Sequence, residues 1–467
     1  VNLSHDRRKA DVPLSDGKET MIETESDRDQ HSELVDLLAR LIRFDTTNWG
    51  PGRSAGERPA AEWVAGQLEA VGWSPQVLAP DDAPDRASVV LRIPGMRRDL
   101  PAMLVHGHLD VVPAAPDDWA VDPFGGVVED GYIWGRGAAD MKDMCAMTLA
   151  TVQRWARENV RPERDVVVAF LADEEAGGRY GSRWLVRSHP ELFAGVQAAI
   201  GESGGMFRWL RHGDRSARCY PVGTAERGSM HLRLTARGAA GHGSRPGPTT
   251  AISVLVDAVH RFAHHRWPIH LSAPVRAQLE GTAEVLRLTV DLDTDAGVEA
   301  CLELLGHAAD VARFTVRAST TPTVLTAGYK VNVIPATATA EIDVRCPPGY
   351  ADQLEAALPG LIGEEVEYEF TSHSLPISAP MDGPWFAAIR DAVGRADPEA
   401  VVIPYCMGGG TDAKAFARLG IAGYGFAPLG EDPQGRIRQG VHGVDERVPV
   451  ASLLWGVRVL DDFLRYV

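Results

Sequence analysis

Apolar residues recur along this chain at two different periods, and the switches between them predict its elements. Residues 32–44 (SELVDLLARLIRF) put Leu34, Leu37, Leu38, Leu41 and Ile42 on one helical face. Residues 57–71 repeat that period with Ala60, Trp63, Val64, Leu68 and Val71. Short, nearly continuous apolar runs follow: ASVVLRI at 87–93, AMLVHGHLD at 102–110, VVVAFLA at 166–172 and QAAIGE at 197–202. A helical stretch, 143–159, lies between the second and third. Runs without alternation are buried on both faces, so this order predicts an α/β layer with a mainly parallel sheet. Asp130-Gly131, between VVE and YIW, reads as a hairpin turn.

The pattern changes near residue 222. Residues 229–237 alternate apolar and polar, as a half-exposed strand does. A helix at 249–264, strands at 319–327 and 336–345, a helix at 350–361 and a strand at 365–371 complete a β-α-β-β-α-β order. That is the ferredoxin-like split unit. The stretch between Arg266 and Thr315 reads as an insertion containing a helix. After about 372 the α/β character returns. The expected organisation is therefore a polar tail over 1–28, one α/β domain built from 29–221 and 373–467, and an inserted α+β domain over 222–372. A chain of 467 residues is long enough for two cores.

Composition changes this picture little. The chain is 45% hydrophobic and 24% charged, with a net charge of −17. The acidic balance argues against a nucleic-acid binder, which needs a basic face. Five cysteines, widely spaced and without a C-x-x-C, read as free buried thiols. No apolar run approaches a membrane span, and the first twenty residues lack the apolar segment of a signal peptide, so a cytoplasmic location is expected.

Chemistry enters at the strand ends. An apolar strand should not run into V-H-G-H-L-D (105–110) unless something satisfies those polar groups. Alternation points His106, His108 and Asp110 the same way. Taken alone, these residues fit a solvated strand end as well as a site. F-L-A-D-E-E-A-G-G (170–178) ends another strand in three adjacent acids, which need a cation or water. I-G-E-S-G-G (200–205) places Glu202 similarly, and Asp140 in G-R-G-A-A-D-M-K opens a helix. Strand exits on one edge of an α/β sheet are where sites form. Imidazole with carboxylates, and no thiolate, suits zinc, manganese or cobalt in a hydrolytic site. H-E-x-x-H, G-x-S-x-G and a P-loop are all absent.

Together, H-G-H-L-D-V-V-P, W-G-R-G-A-A-D-M-K, D-E-E-A-G-G, G-E-S, G-G-G-T-D-A-K (408–414) and G-V-H-G-V-D-E (440–446) resemble the M20 family of metallopeptidases over roughly residues 32–467. That family includes aminoacylases, dipeptidases, carboxypeptidases and desuccinylases. The resemblance implies two divalent metal ions, zinc first, with cobalt or manganese as alternatives. His108 and Glu202 would hold one, Glu175 and His442 the other, and Asp140 would bridge them. Glu174 would be the general base, with Asp110 orienting a ligand or the base. The Asp140–Met141 peptide would be cis. His242, reaching across a homodimer formed through the inserted lid domain, would stabilise the oxyanion. Asn332 and Arg345 would bind substrate, the arginine gripping a free carboxylate, with the amides of Gly409, Gly410 and Thr411 beside it. A salt bridge at the hinge is the other use open to Arg345. W-x₂-D-P-F at Trp119–Phe124 and the long insertion resemble the aminoacylase and carboxypeptidase-S branch most. The implied reaction releases an amino acid from an N-acyl amino acid or short peptide. A desuccinylase or deacetylase of amino-acid biosynthesis, or a non-catalytic binding relative, are the alternatives.

Overall fold

The computed structural model describes residues 25–50, 52–435 and 437–467. Its architecture follows from the fully buried strands. Every residue of Ala102–His108 is buried, so the strand needs a parallel neighbour on each side. It has Val166–Leu171 on one side, with Met103 opposite Val166, and Val196–Gly201 on the other. Ala422–Gly425 extends this parallel core. Antiparallel strands close one edge: Ser88–Ile93 pairs with Val166–Leu171, and Gln76–Leu78 pairs with Ser88–Ile93. At the other side the long strand Arg215–Glu226 carries Arg208–His212, Ile377–Ser378 and, in parallel, Ala400–Met407. The result is a ten-stranded mixed sheet, parallel at its centre.

Helices cover both faces. Glu25–Ile42, Arg58–Glu69, Lys142–Glu158 and Val450–Tyr466 bury Leu38, Ile42, Val64, Trp155, Leu460 and Phe463 against one face. Leu185, Phe193 and Phe416 pack on the other, against Leu104, Val167 and Leu171. The five leucine and isoleucine positions expected on the first helix are all buried. That helix starts at Glu25, so the expected tail ends earlier than residue 28, and residues 1–24 lie outside the described residues.

The second sheet is antiparallel, in the order Val366–Phe370, Leu232–Arg237, Thr337–Cys346, Ser319–Ala327. Helices Ala251–His264 and Ala351–Ile362 cover one face, where Leu232, Leu234, Leu255, Phe262, Ile342 and Leu358 form a separate core. This is the ferredoxin-like split unit that the alternating pattern predicts. The uncovered face is polar, and Arg233 bridges Glu341 (2.7 Å) and Glu369 (3.0 Å) across three strands.

The expected limits of 222–372 need correction at two places. Arg215–Glu226 runs in the large sheet, so the chain crosses only at Arg227, whose guanidinium donates to the carbonyls of Phe314 and Arg345 and to Ser319 Oγ. The insertion holds three α-helices, Ala273–Val285, Asp295–Leu305 and Asp310–Thr315, and these leave the inserted sheet. Val275, Leu279, Leu302 and Leu305 pack instead on Cys219, Ala225, Ile403 and Cys406 of the large sheet. Apolar periodicity shows that a helix has a buried face but not which sheet receives it. Among the described residues, no helix is long and apolar enough to cross a membrane. All five cysteines are buried and unpaired.

Candidate metal centre

Three parallel strands end at one edge and deliver His108, the Asp173-Glu174-Glu175 turn and Glu202. Asp140 arrives from the loop that opens helix Lys142–Glu158, and the Asp140–Met141 peptide is cis, as expected. His442 comes from the turn before the last strand. Asp140 divides its carboxylate between two arms. Oδ1 lies 3.2 Å from His108 Nε2, and Oδ2 lies 3.1 Å from His442 Nε2. Glu202 stands on the first arm, 3.7 Å from His108 Nε2. Glu175 stands on the second, 3.4 Å from His442 Nε2. One donor atom each from His108, Asp140 and Glu175 fits within 4.8 Å, as does one each from His108, Glu174 and Glu202.

This donor set fits metal ions. Glu202 Oε2 is buried and has no hydrogen-bond partner, and Glu175 Oε1, also buried, has only the long 3.4 Å approach of His442 Nε2. Such oxygens are costly unless a cation takes them. Burial raises the pKa of both Glu174 and Glu202 well above the usual carboxylate range. Glu202 adds to the rise at Glu174, and Asp140 to that at Glu202. His442 is pushed up to about 10 by its bonds to Asp140 and Glu175. Burial opposes a charged Asp140, yet the two histidines hold its pKa below the usual range.

The turn bearing Glu174 is held from beneath. Asp110 Oδ1 accepts from the Glu174 amide (3.0 Å), and Oδ2 accepts from the Glu175 amide (3.1 Å) and from Asn48 Nδ2 (2.9 Å). Asp110 is therefore a support for the turn, and its own backbone carbonyl also receives His108 Nδ1 at 2.9 Å. That bond fixes the tautomer that leaves Nε2 for a metal.

Several supporting residues escaped sequence reasoning. Asn48 also donates to Asp173 (3.2 Å), which accepts from Arg86 (2.9 Å) and the Tyr180 amide (2.9 Å). Arg86 forks onto Glu57 with two bonds of 2.7 Å. Buried Glu446 accepts from Arg136 (2.6 Å) and from the amides of Gly137 (3.1 Å) and Ala139 (2.8 Å), tying the Asp140 loop to the His442 segment. Ser182 donates to Asp412 at 2.5 Å. Polar residues within apolar surroundings were the available signal, but partners this far apart in sequence carry no spacing pattern. His106 is not part of the centre. It is buried, its ring 5.1 Å from that of Phe416, and burial lowers its pKa to about 3.

The remaining site residues lie apart from this cluster. His242 and Asn332 sit together on an exposed ribbon, where His242 pairs with Val333 and its Nδ1 contacts Ser244 Oγ at 2.8 Å. Arg345 forks onto Asp343 of its own strand, Thr337–Cys346 (2.7 and 3.0 Å), and donates to Ser229 Oγ (2.8 Å). Gly409 and Gly410 sit on the loop after strand Ala400–Met407. Thr411 requires a correction. Its amide (2.9 Å) and hydroxyl (2.5 Å) are both bonded to Glu226, so the amide already has an acceptor.

Comparison with known proteins agrees with this geometry. The family model "Peptidase family M20/M25/M40" matches residues 104–466. The chain is 28% identical to the human N-fatty-acyl-amino acid synthase/hydrolase PM20D1 over 390 residues, covering 81% of this chain and 76% of that protein. It is 28% identical to human aminoacylase-1 over 389 residues, covering 81% and 82%. Its fold is similar to that of the M20 family metallo-carboxypeptidase Sso-CP2 from Sulfolobus solfataricus, with a TM-score of 0.69, 16% identity and coverage of 93% and 98%. The chain belongs to peptidase family M20/M25/M40 and is an amide-bond hydrolase.

Proposed function

We propose that this enzyme hydrolyses an amide or peptide bond next to a free carboxylate, releasing an amino acid from N-acyl amino acids or short peptides. The observation that carries this reading is the two-armed cluster around Asp140, with an unpartnered buried oxygen on Glu202, beside the supported Glu174 turn. His108, Asp140 and Glu202 would hold one divalent ion, and Asp140, Glu175 and His442 a second. Zinc suits this set, with cobalt or manganese as alternatives. Such ions supply Lewis acidity and lower the pKa of bound water toward neutrality.

Glu174 takes the proton of the attacking water and returns it to the leaving amine. Its burial supports that role, because a raised proton affinity suits a shuttle working near neutral pH. Asp110 positions Glu174 through the backbone amides of the turn. Arg345 and Asn332 hold the substrate's carboxylate end, together with the loop at Gly409 and Gly410. A guanidinium fork pairs with a carboxylate in the way Arg345 now pairs with Asp343. His242 of a second copy supplies a donor to the developing oxyanion. The edge strand Ser319–Ala327 leaves Val324 and Leu325 exposed, which supports a homodimer through the inserted unit. The human relatives are named for N-acyl amino acid chemistry, which supports the substrate class. A cytoplasmic location belongs to the same proposal, and the five unpaired thiols support it.

The test measures amine release from N-acyl amino acids and dipeptides, on chelated enzyme and after adding back Zn²⁺, Co²⁺ or Mn²⁺. Expected are two metals bound per chain, activity restored with them, and a Glu174→Gln variant that binds both metals yet turns over about 10²–10⁴-fold slower. Full activity in that variant, or in chelated enzyme, would refute the reading.

A further inference from the structure

A cavity of about 890 Å³ opens onto the metal centre, with Asp140 and Glu202 on its lining. One wall is the helical insertion, which supplies Leu304, Leu305 and Val311. Another is the strand Arg208–His212, which begins six residues after Glu202. Side chains alternate along a strand, so Arg208 shares a face with Leu210. Leu210 is buried in one core with Leu305 and Ala309 of the insertion. Arg208 therefore projects into the space between strand and insertion, where it lines the cavity.

This arginine differs from the others. It is partly buried, yet among the described residues its guanidinium makes no hydrogen bond, ion pair or ring contact. Every other buried or partly buried arginine among the described residues has a partner. Arg218, on the neighbouring strand, forks onto Asp397 with bonds of 2.9 and 2.7 Å. A partly desolvated charge left alone is costly. The acids that share the cavity are engaged elsewhere. Asp432 accepts from the amides of Gln434 (3.0 Å) and Ile437 (2.9 Å), and Asp310 lies 3.6 Å from His307. Asp140 and Glu202 belong to the metal centre. The guanidinium is nonetheless close to that centre. Burial raises the pKa of the Tyr405 hydroxyl, Arg208 opposes the rise and Glu202 adds to it, so both charges lie near this one group. Finally, Arg345 and the Gly409–Gly410 loop, assigned to the substrate's carboxylate end, do not line the cavity. Arg208 thus faces the part of the substrate on the carbonyl side of the scissile bond.

We infer that Arg208 is a specificity-determining residue that forks onto a second carboxylate, carried on the carbonyl side of the scissile bond, so that the preferred substrates are dianions. This rests on the amidohydrolase reading above and narrows its substrate. A planar guanidinium pairs with a carboxylate through two parallel bonds, which a lysine could not reproduce. That carboxylate has two sources: the free end of a dicarboxylic acyl group, or an acidic side chain on the first residue of a dipeptide.

The experiment compares isosteric pairs on the metal-loaded enzyme: N-glutaryl-leucine with its terminal amide, and Glu-Leu with Gln-Leu. The members of each pair differ by one charge. Arg208→Gln removes the guanidinium, and Arg208→Lys keeps the charge without the fork. Calorimetry with glutarate and with pentanoate gives a readout independent of turnover. The expected kcat/KM is about 10–100-fold higher for the charged member of at least one pair, mainly through KM. That ratio falls close to unity in Arg208→Gln and is partly recovered in Arg208→Lys. Preference in the glutaryl pair assigns the dicarboxylic source, and preference in the peptide pair assigns the acidic residue. Ratios close to unity in both pairs of the wild type, or a ratio that survives Arg208→Gln, overturn the inference. If no amide is cleaved, the amidohydrolase reading fails by itself and binding decides the role of Arg208. Glutarate bound more tightly than pentanoate, with the difference lost in Arg208→Gln, then supports it, and equal binding of the two overturns it.

Discussion

Replacing Asp110 by asparagine should cripple the enzyme without touching a metal ligand. The carboxylate accepts three bonds, from the amides of Glu174 and Glu175 and from Asn48, at 2.9–3.1 Å. It is wholly buried, so water cannot replace a lost partner. Asparagine keeps the shape but offers one oxygen and one NH₂ group. If the oxygen takes the position facing Asn48 and Glu175, the NH₂ group meets the Glu174 amide, donor against donor. A buried donor without an acceptor costs about 1–3 kcal/mol, and the two surviving bonds lose their charge assistance, about 1 kcal/mol each. The sum is roughly 3–5 kcal/mol, which the turn can relieve by moving Glu174 away. A shift of about 1 Å in a reacting group costs about 10²-fold in rate. The expected outcome is therefore a fall of about 10²-fold in kcat/KM at saturating metal. Metal affinity should also weaken by about 10–100-fold, as loss of an outer support does. Steady-state kinetics and a metal titration read the two effects, and circular dichroism checks the fold. Activity within about threefold of wild type at saturating metal would show that Asp110 does not position the turn.

Three further outcomes follow from particular contacts. Arg345→Ala should raise KM by about 10–100-fold and leave kcat within a few-fold, the signature of a lost charge-assisted contact to substrate. An unchanged KM would leave Arg345 only its ion pair with Asp343. Asp143, at the start of helix Lys142–Glu158, is buried with neither carboxyl oxygen bonded, and burial, reinforced by Asp140 and Glu446, pushes it to about 8. The folded chain then keeps a proton that the unfolded chain releases near pH 4, so stability should fall as pH rises from about 4 to 8. Asp143→Asn should flatten that fall in Tm, and an unaltered slope would count against it. Gly201→Ala should destabilise by about 1–3 kcal/mol in urea, because its Cβ would lie 2.3 Å from the buried His106 ring on the strand that ends at Glu202. An unshifted urea midpoint would mean that the ring yields freely.

Much of this protein is legible in its order of residues, and the reason is that periodicity is local. Leu34, Leu38 and Leu41 face one way on a helix whatever that helix packs against. The unbroken run Val166–Leu171 demands neighbours on both sides of its sheet, and the sheet provides them. His108, Glu175 and Glu202 are ligand types at strand exits, so position alone marks them as candidates. Tertiary structure decided everything that depends on meeting across distance. Asp140 has one oxygen for His108 and the other for His442, residues more than 300 positions apart. Asn48, Arg86 and Glu446 are ordinary polar residues until the fold buries them beside Asp173 and the Asp140 loop. The helices at 273–315 show the same division most plainly. Their apolar faces are written in the sequence, but the surface that buries them, and the cavity they wall there, exist only once the two sheets are in place.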